Sequence, residues 1–218
     1  MFYSKLPALG LFCSLILMAE ACKKEDSPIA TNPTALPNAS FEGVPGIGGE
    51  VFGLDGWSDC GFPGHTVPDI HPSENGGIFQ VTTLPFDGDT YLGLVVRDDE
   101  TYEAISSKLE PPLVGKQDYS FSVAVCRSSV YGVMGSNNIS YTKPIRLRIW
   151  GGNDTCADEE LLAQSPTITD TVWQVLRFEI KPKKDYQFIK LEAFYQEGSP
   201  FPYNGNILLD KLSAFMPL

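Results

Sequence analysis

The chain has 218 residues, with 16 Lys and Arg against 27 Asp and Glu, a formal net charge of −11 and an isoelectric point near 4.6. That acidic balance opposes binding to a phosphate backbone, which needs clustered Lys and Arg, so nucleic acid is not an expected partner. The five cysteines form neither a Cys-x-x-Cys pair nor a Cys/His cluster, which speaks against a zinc site.

The first legible segment is an address. A short head, MFYSK, leads into an apolar run over residues 6–19, then Ala21, Cys22 and the polar string KKEDSP. About 14 apolar residues are too few to span a bilayer as a mature helix and suit the core of a signal peptide. A cysteine at the end of such a core resembles the lipobox of bacterial lipoproteins. That resemblance implies cleavage before Cys22 and its acylation. The charged residues after Cys22 resemble the export tags of surface lipoproteins in the Bacteroidetes group, which implies a lipid-anchored, surface-exposed protein of the outer membrane. Residues 23–37, rich in Pro, Thr, Ala and Ser, show no apolar period and read as an extended tether. The expected division is therefore a signal peptide over 1–21, a tether over 22–37 and one domain over 38–218.

That domain shows period-2 alternation broken by Gly, Pro, Asn and Asp clusters. Strands are expected over 78–82, 90–96, 104–109, 119–126, 145–150, 172–180, 188–195 and 207–215, with one short helical turn over 157–163. About eight short strands separated by turns predict an all-β fold, an antiparallel β-sandwich of the jelly-roll kind. Alternation in IRLRIW sets Ile145, Leu147 and Ile149 against Arg146, Arg148 and Trp150. In FIKLEAFY it sets Ile189, Leu191, Ala193 and Tyr195 against Lys190, Glu192 and Phe194. Each strand thus has an apolar side for the core and a mixed side, which is either a solvated face or a binding platform. With Cys13 in the signal and Cys22 assigned to lipid, Cys60, Cys126 and Cys156 remain, enough for one disulfide and one free thiol. Cys126 lies on a strand and Cys60 and Cys156 lie in polar, Gly-containing loops, which favours the Cys60–Cys156 pair.

The order NASFEG at 38–43, GW at 56–57, DGDTYLGL at 87–94 and a closing NILLDKLSAF at 206–215 resembles the β-jelly-roll carbohydrate-binding modules and their galactose-binding-like relatives. The middle of the chain, with GFPGHTVPDIHP, VVRDDETYEA and RIWGGNDTC, resembles jelly-roll proteins of polysaccharide-degrading Bacteroidetes. The first resemblance implies a structural Ca²⁺ held by Glu42 on the first strand and Asp210 on the last, with an edge ion pair of Glu42 and Lys211 as the alternative.

The expected ligand is a glycan or polysaccharide, an acidic one being the sharper expectation, bound without catalysis. The expected face comprises Trp150, Arg148 and Arg146, surrounded by Arg97, Glu103 and the loop carrying Asp69 and His71. An indole can cover the apolar side of a sugar ring while Arg forks donate to hydroxyls or carboxylates. Trp57 is a further candidate for ring stacking, its alternative being a core plug. The carboxylates of the Asp98, Asp99, Glu100 and Glu103 run leave a small carbohydrate-active hydrolase open as a second reading. A third is a structural accessory subunit docked on an outer-membrane complex.

Overall fold

The structure, a computed structural model, describes Met1 and residues 30–46, 53–65, 67–72, 78–133 and 139–218. Cys22, the expected lipidation site, lies outside the described residues. The strands are β1 (Trp57–Asp59), β2 (Asp69–Pro72), β3 (Thr90–Val96), β4 (Ala104–Leu113), β5 (Tyr119–Cys126), β6 (Gly132–Val133), β7 (Ile139–Ser140), β8 (Lys143–Pro144), β9 (Arg146–Gly152), β10 (Glu160–Gln164), β11 (Gln174–Ile180), β12 (Tyr186–Phe194), β13 (Gly205–Asp210) and β14 (Met216–Pro217). One sheet runs β1-β4-β12-β9-β10 and the other β11-β5-β13-β3-β2, with β8 paired to β13 and β14 to β5. Pairing is antiparallel apart from the short contact of β8 with β13. The all-β sandwich expected from alternation is the observed architecture.

Alternation explains the two layers. Leu92, Leu94 and Val96 of β3, Phe121, Val123 and Val125 of β5, Ile207 and Leu209 of β13, and Leu147, Ile149, Ile189 and Leu191 of the facing sheet form one buried core. Burying each such side chain contributes about 1.5–3 kcal/mol. Because the period is two, the residues between them must face outward from each sheet, and these outward faces carry the chain's charged and aromatic residues.

Three expectations need correction. Residues 78–82 are not a strand: Ile78–Gln80 form a 3-10 turn in which Phe79 has φ 53° and Gln80 φ 65°. Phe79 stacks on Tyr131 instead, with ring centroids 5.8 Å apart. The helical turn over 157–163 is absent, since Glu160–Gln164 pair with β9 and complete that sheet edge. The folded unit also starts before Asn38: Thr34 bridges Phe215, Ala35 bridges Glu110, and Leu36 joins the core. The expected disulfide is present, with Cα atoms of Cys60 and Cys156 5.4 Å apart. Cys126 is the free cysteine among the described residues, and burial pushes its thiol up to about 12.

Candidate functional site

The register of β9 against β12 sets Arg146 opposite Phe194, Arg148 opposite Glu192 and Trp150 opposite Lys190, all on the outer face of the five-stranded sheet. On the other side of β12, Lys190 faces Ser106 and Glu192 faces Ala104. The expected row of β9 is therefore one column of a larger platform. The Arg148 guanidinium lies 3.2 Å from the Phe194 ring centroid, 3.6 Å from Glu192, and donates to Gln164. Lys190 bridges Glu192 at 3.1 Å and Asp158 at 3.3 Å and sits 5.6 Å from the Trp150 ring centroid. Tyr102 meets Phe194 edge-on at 5.7 Å, and Phe62 meets Tyr102 at 4.9 Å. Trp150, Arg148, Tyr102 and Phe194 are half-buried and Phe62 is exposed, so rings and a guanidinium form the accessible surface over buried Lys190 and Glu192.

The disulfide shapes one rim of this face. It joins the loop after β1, which carries Phe62, to the loop between β9 and β10, which carries Asp158. The opposite rim is the segment after β12. There a groove of ≈510 Å³ is lined by Arg146, Phe194, Glu100, Glu197 and Phe201. Arg146 donates from Nε to the Tyr195 carbonyl at 3.1 Å and from Nη1 to Glu197 at 3.2 Å. Burial lowers the Arg148 guanidinium from its ordinary value, Glu192 counters that, and like-charged Arg146 adds to it. Three buried side-chain atoms on this face lack a hydrogen-bond partner among the described residues: Trp150 Nε1, Ser106 Oγ and Glu192 Oε1.

Arg97, Glu103, Asp69 and His71 do not join that face. They lie on the outer side of the seven-stranded sheet, beneath a second apolar layer of Val81, Tyr91, Tyr131, Leu208 and the half-buried Phe79, Tyr141 and Trp173. Arg97 pairs with Glu103, whose other oxygen accepts the Val95 N–H at 3.0 Å. Tyr131 donates to Asp69 and lies 3.3 Å from His71 Nε2, while His71 Nδ1 has no hydrogen-bond partner among the described residues. Gly93 makes room for the pair, since a Cβ there would lie 2.5 Å from His71 Nε2 and 2.8 Å from the Tyr131 hydroxyl. Burial lowers the His71 imidazole to about 3. Burial also raises the Glu103 carboxyl, against the pull of Arg97. The reason for the split is topological: β3 pairs with β2 and β13, not with β9.

Trp57 is a core plug. It is 6% exposed, packs against Phe41 at 5.3 Å and donates from Nε1 to the Asn38 carbonyl. Asp99 accepts from Thr101 within its own turn, and Asp98 ties that turn to Asn204.

Glu42 and Asp210 both hold the loop entering β3. Glu42 accepts the N–H groups of Asp89 and Thr90, and a Cβ at Gly88, where φ is +64°, would strike its carboxylate. Asp210 accepts the N–H groups of Phe86, Asp87 and Lys211. Lys211 pairs with Asp87 at 2.9 Å, so the edge ion pair involves Asp87 and not Glu42. Calcium takes six to eight oxygens. Here the oxygens of both carboxylates point at N–H donors, and no group of three or more His, Cys, Asp or Glu able to hold a metal occurs among the described residues. As arranged, these residues do not fit a calcium ion shared by Glu42 and Asp210.

No family model matches the sequence and no curated protein matches it significantly. Among solved structures, the chain is similar to the CBM22-1–GH10 modules of a Clostridium thermocellum endo-1,4-β-D-xylanase complexed with xylohexaose, at 15% identity and TM-score 0.43, over 74% of this chain and 26% of that one. It therefore spans about a quarter of that protein. It is also similar to the CBM22-1 xylan-binding domain of a Paenibacillus barcinonensis xylanase, at 15% identity and TM-score 0.44, over 81% of this chain and 97% of that one. A cleaved adhesin domain of Lys-gingipain from Porphyromonas gingivalis matches at 12% identity and TM-score 0.48, over 81% of this chain and 94% of that one.

Proposed function

We propose that the domain is a non-catalytic carbohydrate-binding module whose site is the outer face of the five-stranded sheet, displayed at the outer membrane through a lipid on Cys22. One observation carries the reading. A single sheet face combines the half-buried rings of Tyr102, Phe194 and Trp150 with Arg148 and with the buried Trp150 Nε1 and Ser106 Oγ, which have no hydrogen-bond partner among the described residues. Rings cover the C–H side of a sugar, while charged donors and acceptors bind its hydroxyls more strongly than neutral ones do. The sealed cluster around Glu103 offers a ligand no such surface.

The experiment is a glycan array on the purified protein, followed by titration of the hits against Trp150→Ala and Arg148→Ala. Loss of affinity in both variants is the expected result, and undiminished binding in both removes this face as the site. For the anchor, Cys22→Ala is expected to release the protein from the membrane fraction or to leave the precursor uncut. Unchanged size and detergent partitioning would overturn it. A hydrolase keeps one specific point in its favour, since Glu100 and Glu197 line the same groove. Incubation with each array hit is expected to release no reducing ends, and release abolished by Glu100→Gln would establish the enzyme instead.

A further inference from the structure

The charges of the five-stranded face do not balance at depth. Three cations lie on it with little exposure: side chains of Arg146 at 9%, Lys190 at 7% and Arg148 at 23%. Among the described residues one carboxylate, Glu192 at 2%, is buried with them. The remaining compensation comes from loop carboxylates that stand in solvent, Glu197 at 87% exposure on Arg146 and Asp158 at 62% on Lys190. A buried cation is costly to leave unpaired, whereas an exposed carboxylate gains little from holding its place. Such pairs are built to exchange. Arg146 is fixed by its Nε bond to the Tyr195 carbonyl and lines the groove beside Phe194.

Resting on the carbohydrate-binding reading, we infer that the ligand is an anionic glycan, whose acidic groups replace Glu197 at Arg146 and Asp158 at Lys190. Arg146 and Trp150, which is opposite Lys190, are four residues apart on β9, so the two exchangeable positions lie roughly 13 Å apart along the strand. A linear polymer with an acidic group on successive or alternate sugars can meet both while its rings lie over Phe194 and Trp150. A planar carboxylate suits the Arg fork in bidentate fashion, and a sulfate ester presents the same oxygens. The formal charge of −11 does not forbid this. At physiological salt, charges beyond about 8 Å are largely screened, so repulsion slows approach more than it weakens the seated complex.

The test titrates the whole protein with hexagalacturonate, with its methyl ester, with dextran sulfate and with unmodified dextran. Hexagalacturonate is expected to bind about ten-fold or more tightly than the ester, whose backbone is the same but uncharged. Its affinity should fall as NaCl rises. Binding of dextran sulfate over dextran in place of hexagalacturonate would identify sulfate as the source of the anion. Glu197→Gln should raise hexagalacturonate affinity about two- to five-fold, because the competing carboxylate is gone. Arg146→Gln should reduce the preference for acid over ester to what the Lys190 position contributes. Equal affinity for acid and ester, with neutral sugars still bound, overturns the inference and leaves the carbohydrate-binding reading standing. Loss of acid affinity in Glu197→Gln also overturns it, because Glu197 would then be a support of Arg146. Failure of every glycan to bind overturns both.

Discussion

On the outer face of the five-stranded sheet, Lys190 and Glu192 are buried while their partners Asp158 and Arg148 reach solvent. On the outer face of the seven-stranded sheet, Arg97, Glu103, Asp69 and His71 are buried together beneath Phe79, Tyr131 and Tyr141. Both faces use Arg, carboxylates and aromatic rings, and residue type does not separate them. What separates them is a lid. The turn at Ile78–Gln80 packs through Phe79 on Tyr131 and, with Tyr141 and Trp173, adds a second apolar layer to the seven-stranded face, whereas on the five-stranded face Trp150, Arg148 and Phe194 stay half-buried. A covered polar cluster fixes structure; an uncovered one can also meet a ligand.

The largest effect that could break this distinction is expected at Glu103. Removing one member of a buried ion pair leaves the other charge stranded, at a cost of about 3–5 kcal/mol. Glu103→Ala should therefore lower the denaturant midpoint sharply, while glycan affinity measured on the remaining folded protein stays unchanged. Arg148→Ala should do the reverse, weakening binding and shifting the midpoint little. If Glu103→Ala abolished binding without loss of stability, the sealed cluster would be the site. Next comes the disulfide, which closes a separation of 96 residues. Its removal in Cys60→Ser/Cys156→Ser is expected to cost about 2–4 kcal/mol. It should also reduce binding, because the rim bearing Phe62 and Asp158 loses its clip. An unchanged affinity would place the ligand wholly at the Arg146 end.

A smaller effect is readable from pH. His71 is held neutral by burial, with its folded value near 3 against the ordinary 6.5. Below pH 6.5 the unfolded chain takes up a proton that the folded chain refuses. His71 therefore contributes stability above pH 6.5 that is lost progressively as pH falls toward 3. Between pH 6.5 and 5 the loss is about 2 kcal/mol. Asp210 works in the opposite sense: burial pushes it up to about 6, so its contribution is present at low pH and is lost as pH rises through that value. The measurement is accordingly the difference in unfolding free energy between the protein and His71→Gln across pH 5–7. A difference that does not change with pH would mean that water reaches His71 and that the lid is not closed.

The contrast between the faces was only half legible in the sequence. Alternation located β3 and β5 to the residue, because long apolar strands leave little freedom in register. It also set Arg146, Arg148 and Trp150 on one side of β9, with Lys190, Glu192 and Phe194 on one side of β12. Sheet membership was not legible. Arg97 and Glu103 looked like neighbours of Trp150 because both groups are charged ends of strands, and only the pairing of β3 with β2 and β13 sends them to the other face. ADEELLA reads as a helix by propensity, but the free edge of β9 recruits it as β10, and Glu160 then accepts from Tyr186 and the Lys183 amide. Strands β1 and β2, of three and four residues, are too short for any period to show.

Calcium removal is expected to have the smallest effect. The family resemblance implies an ion between Glu42 and Asp210, at the edge where the first and last parts of the domain meet. In the structure the same carboxylates hold the backbone N–H groups of Phe86, Asp87, Asp89 and Thr90, so this loop joins the two parts of the domain. A ligand that binds only the native state raises its stability in proportion to the logarithm of its saturation, and chelation would remove that increment. EDTA is therefore expected to leave the melting temperature unchanged, and added Ca²⁺ likewise. Glu42→Gln should lower it with or without Ca²⁺, because the amide offers one acceptor where the carboxylate offers two, at a cost of about 1–3 kcal/mol. If EDTA lowered the melting temperature of the protein but not that of Glu42→Gln, Glu42 would be a metal ligand.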